Sequence, residues 1–231
     1  MAETVGALII GVRDRLDEVG ARQWSDPQLR RWLYEGAQDI ARKTHLLKRT
    51  SDIAMTANVY SYTVPNLCLE VEMAYWVPGG ADTRIVPMIP RPYGSMDNIR
   101  GAYPGQGSST PQLYTVWGYA PTLAIEVWPP PYANSTLRIY GSYLPVAITY
   151  PTGASDLTNL DVPDGYTDVV IDYAEYNALR KDRDPRWQEA KQLYDEKIGV
   201  MIETQDYLSA PGEFIYDSPA GPLPSWLTQM N

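Results

Sequence analysis

Between Asp164 and Leu208, apolar residues recur at helical spacing, with one interruption at Lys181–Pro185. Tyr166, Val169, Val170, Tyr173 and Ala174 mark a first stripe, with Asp168, Asp172 and Glu175 between them. Trp187, Ala190, Tyr194, Ile198, Met201 and Ile202 mark a second. Pro185 cannot continue a helix from upstream, because it lacks an N–H and its ring clashes with the preceding turn. It suits the first turn of a new helix, with Asp184 as the cap. Two helices joined by so short a link lie antiparallel. Each then keeps an apolar stripe that the pair alone leaves partly open, so another part of the chain has to cover it.

The cover is read at the start of the chain. Val5, Leu8, Ile9, Val12, Leu16 and Val19 form a helical stripe, with Gly20 as its expected stop. A second helix begins at Ser25. Ser25 and Gln28 form an S-x-x-Q capping box, and Trp24 and Leu29 are placed for a hydrophobic staple. Leu29, Trp32, Leu33, Gly36, Ala37 and Ile40 mark its buried face, to about Lys43. The N- and C-terminal pairs are expected to meet as one bundle, residues 1–50 with 164–210, packed through Leu29, Trp32, Leu33, Ile40, Val169, Tyr173, Trp187 and Tyr194.

From Ser51 to Pro163 the apolar period drops to two. Leu67, Leu69, Val71, Met73 and Tyr75 alternate with Glu70, Glu72 and Ala74. Leu123, Ile125 and Val127 alternate with Ala124, Glu126 and Trp128, and Leu137, Ile139 and Gly141 with Arg138, Tyr140 and Ser142. Leu113, Thr115 and Trp117 offer another strand, and Val59–Val64 one more. Tight connections are expected at Ala120–Thr122 and Tyr132–Ser135. A helical turn is expected within Pro90–Asn98, and a loop over Arg100–Pro111, which holds glycines, prolines and hydroxyl residues. The pattern predicts an antiparallel β domain over 51–163, a small sandwich or open barrel. The fold class is therefore α+β: a helix bundle, an inserted β domain and an extended arm over 211–231.

That arm has its own logic. Pro211, Pro219, Pro222 and Pro224 forbid a long helix, yet Phe214, Ile215, Tyr216, Leu223, Trp226 and Leu227 are too apolar for a solvated tail. One reading is a strap on its own domain. The other is an arm that binds a partner, by adding to a sheet edge or filling apolar pockets.

The chemistry inventory argues against most enzyme classes. The only histidine is His45 and the only cysteine Cys68, neither with ligand-spaced companions, so no metal or cofactor is expected. A Ser-His-Asp site would have to use His45, and no nucleophile-elbow pattern accompanies it. The glycines of 101–107 lack the strand-to-helix context of a phosphate loop. Asp168 and Asp172 read as a solvated helix face. The lone cysteine excludes an internal disulfide framework and fits a reduced compartment. No apolar run reaches the ~20 residues of a membrane span, and the N-terminus lacks signal-peptide features. Net charge is −9, and no segment forms a basic footprint that would grip phosphates. Aromatics are the positive signal: 18 Tyr and 7 Trp against a single Phe. Tyr and Trp suit surfaces that are apolar on one side and wet on the other, as at protein interfaces.

The order of parts resembles the head-to-tail adaptor (connector) proteins of tailed bacteriophages. Three runs carry the resemblance: RQWSDPQLRRWLYEGAQDI over Arg22–Ile40, IEVWPPP over Ile125–Pro131, and VPDGYTDVVIDYAEYNAL over Val162–Leu179. The arm matches by position more than by sequence. The resemblance implies a structural virion protein at the head–tail junction, made in the host cytoplasm. It implies a homo-oligomeric ring, commonly of twelve copies, bound to the portal above and to tail or nozzle proteins below, with genomic DNA passing through without specific binding. An acidic channel wall suits that passage, because each Lys or Arg contact to phosphate adds to binding. Carbohydrate binding also uses aromatics, which leaves open a carbohydrate- or receptor-binding module of the virion, and an unrecognised carboxylate pair leaves open a hydrolase.

Overall fold

The computed structural model describes residues 4–18, 23–79, 84–102, 108–120, 122–146 and 160–209. Within them the chain is α+β, with a β domain inserted between two helix pairs. Helix α1 (Val5–Arg15) is capped by Thr4, whose hydroxyl accepts the Ala7 N–H at 3.2 Å. It stops well before the expected Gly20, a residue outside the described range. Asp17 takes the left-handed conformation (φ 54°), and the Glu18 N–H bonds back to the Arg13 carbonyl at 2.9 Å. This is a Schellman end with Asp17 where glycine is usual.

Helix α2 (Asp26–Thr44) has Ser25 at its N-cap, but the Ser25 side chain makes no capping bond, so the expected capping box is not formed. Glu18 replaces it. Its Oε1 accepts the N–H of Gln23 and of Trp24, while Arg13 holds its other oxygen at 2.8 Å. Arg13 also donates to the Trp24 carbonyl. Arg13 also pairs with Asp26 of α2 at 2.6 Å, so an ion pair joins the two ends of the α1–α2 turn.

Helices α4 (Thr167–Asp182) and α5 (Trp187–Ser209) flank the predicted break. Arg183 is left-handed (φ 62°), and Asp184 Oδ1 accepts the Arg186 N–H at 2.9 Å, the cap expected of it. The four long helices share one core. Val5, Leu8 and Val12 of α1 and Leu29, Leu33 and Ile40 of α2 meet Val170, Ala174 and Ala178 of α4 and Tyr194, Ile198 and Met201 of α5. Gly36 lets α2 and α4 approach closely, since a Cβ there would stand 3.0 Å from the Tyr173 ring.

The insert is a sandwich of two four-stranded sheets. One runs β1 (Lys48–Met55), β8 (Ser135–Tyr143), β3 (Cys68–Val77), β4 (Val86–Pro87). The other runs β2 (Ser61–Thr63), β7 (Ala124–Trp128), β6 (Leu113–Trp117), β5 (Ile89–Pro90). All pairs are antiparallel except β5–β6, which is parallel. Met55, Ala74, Trp76, Leu137 and Ile139 face Tyr114, Ile125 and Val127 across the sandwich.

Two expectations fail here for physical reasons. Met73 and Tyr75 were read on the inner face of β3. Register shifts at Cys68/Glu70 and Val71/Met73 turn the strand over, so Ala74 and Trp76 point inward and Met73 outward. A one-residue slip exchanges the faces of a strand. Gly141 lies opposite, where a Cβ would meet the Glu70 carbonyl at 2.0 Å. Second, residues 100–102 are helical rather than loop. Helix α3 (Tyr93–Ala102) covers the outer face of the β6–β7 sheet, and Met96 and Ile99 pack on Leu113 and Trp128. Glu126 and Trp128, expected to face outward, are buried beneath that helix. Asp161 accepts from Arg49 on β1 and from the Val146 N–H after β8, tying together the chain entering and leaving the sandwich.

Candidate interaction surfaces

The residues expected to pack the bundle occupy different depths. Leu29, Leu33, Ile40 and Tyr194 are fully buried, and Trp32 and Val169 nearly so. Tyr173 packs on that core partly exposed. Trp187 stands half-exposed outside the core and lines an open groove along α5 with Gln188, Lys191, Gln192, Asp195 and Glu196. Phe214, Ile215, Tyr216, Leu223, Trp226 and Leu227 lie outside the described residues. Cys68 is buried, and burial pushes its thiol up, away from reactivity. His45 ends α2 in the left-handed conformation, 3.3 Å from Glu70. Among the described residues no cluster of three His, Cys, Asp or Glu could hold a metal, and no helix is long and apolar enough to cross a membrane.

The carboxylates of α4 are paired: Asp168 keeps contact with solvent, as expected of it, but Asp172 does not. Arg15 of α1 pairs with Asp168, Asp172 and, at 3.3 Å, Glu175, while Lys197 of α5 reaches Asp168 at 2.5 Å and Asp172 at 2.6 Å. Asp172 is 1% exposed, so it is a buried charge compensated from two helices. Asp168, Asp172 and Glu175 share one helix face by spacing. The sequence does not show which helices bring the cations, so the knot went unread.

The Lys197 hydrogen bond, helped by Arg15, holds the Asp168 carboxyl below its usual range. On Lys197 and Arg15 burial opposes the charge, yet the bonds to Asp168 and Asp172 outweigh it and both pKa values rise. A carboxyl lowered by folding adds stability above its unfolded pKa, and that stability is lost as pH falls through the folded value. The melting temperature is expected to drop as pH falls below about 4, the unfolded aspartate value. Lys197→Gln should flatten that acid slope. Melts of both proteins between neutral and acid pH check it, and an unchanged slope would remove the knot from the account.

A second buried polar contact joins α2 to α5. The Tyr194 hydroxyl donates to Asp39 at 2.6 Å, within a ring cluster with Tyr173 and Tyr176. Burial first, then the Asp39 contact, drives the Tyr194 hydroxyl pKa up, so it stays protonated and keeps donating.

Among the described residues, apolar side chains meet solvent at several places, including the following. Ile10 on α1 and Leu193 and Val200 on α5 face solvent. Met73, Tyr75 and Tyr140 lie on the open face of the β1–β8–β3 sheet, with Tyr75 and Tyr140 edge to face at 5.4 Å. Tyr60, Tyr93 and Trp117 surround the rim of α3. Trp117 packs on Tyr93 at 5.9 Å and donates its indole N–H to Glu126 at 3.1 Å. Arg100, paired with the same carboxylate, lies over the Tyr60 ring at 4.8 Å.

Compared with known families, residues 3–214 match the family model described as SU10 adaptor protein. No curated protein matches the chain.

Proposed function

Since the chain belongs to the SU10 adaptor protein family, a family of structural phage head-to-tail adaptors, we propose that it assembles as a ring of about twelve copies on the portal and continues the genome channel toward the tail. The family match over residues 3–214 carries this reading. In the ring the helix bundle makes the neighbour contacts. Ile10, Leu193 and Val200 support that, being large apolar side chains left in solvent on the two outer helices. The C-terminal arm docks on the portal or on a neighbouring adaptor, with Phe214, Tyr216 and Trp226 as anchors and Ile215, Leu223 and Leu227 beside them. The sandwich and the bundle's lower end offer the surface for tail or nozzle proteins. The channel wall is net acidic, so DNA passes without being held.

Mass measurement of the purified protein with and without portal tests the assembly. A closed multimer that forms with portal, alone or on the portal ring, is the expected result. A protein that stays monomeric in both would sink the reading. A structure of the same complex reads the wall, and a channel lined mainly by Lys and Arg would end the sliding argument.

A further inference from the structure

The rim of α3 and the C-terminal arm are chemically matched. Tyr60, Tyr93 and Trp117 are each 44–45% exposed and stand as one connected group, with Tyr119 at 77% on the neighbouring turn. The group is not loose. Glu126, 5% exposed, accepts from the Trp117 indole and from Arg100, so the carboxylate beneath fixes the angle of one ring and the cation that lies over another. Fixed aromatic rings standing half-exposed on an otherwise folded surface suit a ligand that is itself stiff and ridged. Proline-rich segments in the polyproline II conformation are such ligands, and they dock on aromatic-lined grooves at low entropic cost.

The chain carries such a segment. Pro219-Ala220-Gly221-Pro222-Leu223-Pro224 contains a P-x-x-P step, with Trp226 just beyond. The arm holds Glu213 and Asp217 and no basic residue, while Arg91 is exposed directly after β5, two positions before Tyr93. Lys197 stands level with Asp168 near the start of α4, so the rest of α5 runs toward the end of the bundle where the sandwich is attached. From Ala210 to Pro222 an extended chain adds roughly 40 Å.

We propose that Pro219–Pro224 of this chain's own arm docks on the Tyr60–Trp117–Tyr93 rim in the adaptor before it joins a particle. The inference rests on the reading of the arm as a docking segment and gives that segment its site. The test places the photo-crosslinker p-benzoylphenylalanine at position 223 of the full-length protein, irradiates it alone, and maps the linked peptides by mass spectrometry. Links to peptides carrying Tyr60, Tyr93 or Trp117 are expected, within one chain or between two. They should be lost in Trp117→Ala and in the double variant Pro222→Ala, Pro224→Ala, which changes none of the described core residues. Links elsewhere, no links, or links unaffected by these variants overturn the proposal. Irradiation with portal present separates the two ideas. Links to portal without prior links to the rim leave the adaptor reading standing and remove the rim, whereas links to neither portal nor adaptor remove both.

Discussion

Trp32→Ala is expected to lower stability by about 3–5 kcal/mol, the range for removing a buried aromatic side chain. Trp32 is 8% exposed, midway along the buried stripe of α2. Its ring meets Trp24 edge to face at 5.2 Å, and the Lys181 ammonium of α4 lies 5.7 Å above it and 5.4 Å above Trp24. Three elements converge on this ring: the α1–α2 turn through Trp24, α2 itself, and the last turn of α4. Truncation therefore removes more than transfer free energy. It leaves a void between helices whose backbones are already held apart by their neighbours, and such a void collapses only in part. For a chain of this length each kcal/mol moves the melting temperature by about 2–4 °C, so the shift should be large and plain in a thermal melt. A shift of a degree or two would mean that this part of the bundle closes over the gap, and that the α2–α4 contact is carried by Leu33, Ala37 and Gly36 instead.

The helices were legible because their signals are local. Period, the Pro185 break and the Asp184 cap all act within a few residues, and each appears where it was read. The errors came where local signals compete with distant ones. Gly20 looked like the stop of α1, but the left-handed residue is Asp17, because Glu18 is wanted at that point by Arg13 and by the N–H groups ahead of α2. On β3 alternation named the wrong face, since two register shifts set by the partner strand β8 are invisible in β3 alone. Glu126 and Trp128 read as outward, and they do leave the sandwich core. What the pattern could not show is that α3 folds back across that side.

The surfaces were legible only as composition. An excess of Tyr and Trp points to interfaces without saying which rings are exposed. Tyr194 proves to be core, Tyr173 a half-buried neighbour, and Trp117 a fixed surface ring. The Asp168–Asp172 pair shows the reverse case. By spacing it is an ordinary polar face, and the approach of Arg15 from α1 and Lys197 from α5 turns it into an ion-paired junction with Asp172 buried at its base. One helix presents the carboxylates, and the tertiary fold decides whether they meet water or cations.

Truncation after Ala210 is expected to leave the protein folded and to abolish its assembly onto the portal. The folding half follows from where the cores end. Among the described residues the bundle core runs as far as Met201 and, partly buried, Ile202, and the sandwich core draws on residues from Ile53 to Tyr143. All of these residues lie before position 210, so truncation there removes none of them. The assembly half follows from the arm's composition. Phe214, Ile215, Tyr216, Leu223, Trp226 and Leu227 are six large apolar side chains in fourteen residues. Fully burying each is worth roughly 1.5–3 kcal/mol, against a backbone ordering cost of about 1–2 kcal/mol per residue. Pro219, Pro222 and Pro224 lessen that cost, because their φ is already restricted in the free chain. Ordering the whole segment would offset that burial, so docking needs several anchors seated together on short ordered stretches, and it fails when they are removed as a set. Sedimentation of portal rings with full-length and truncated adaptor reads the outcome, alongside a melt to show that the shortened chain is folded. Single replacements should grade the effect, Trp226→Ala and Phe214→Ala each weakening association with no change in the melt. If the truncated protein joins portal rings with undiminished affinity, the arm is a strap and the bundle or sandwich must make the junction alone.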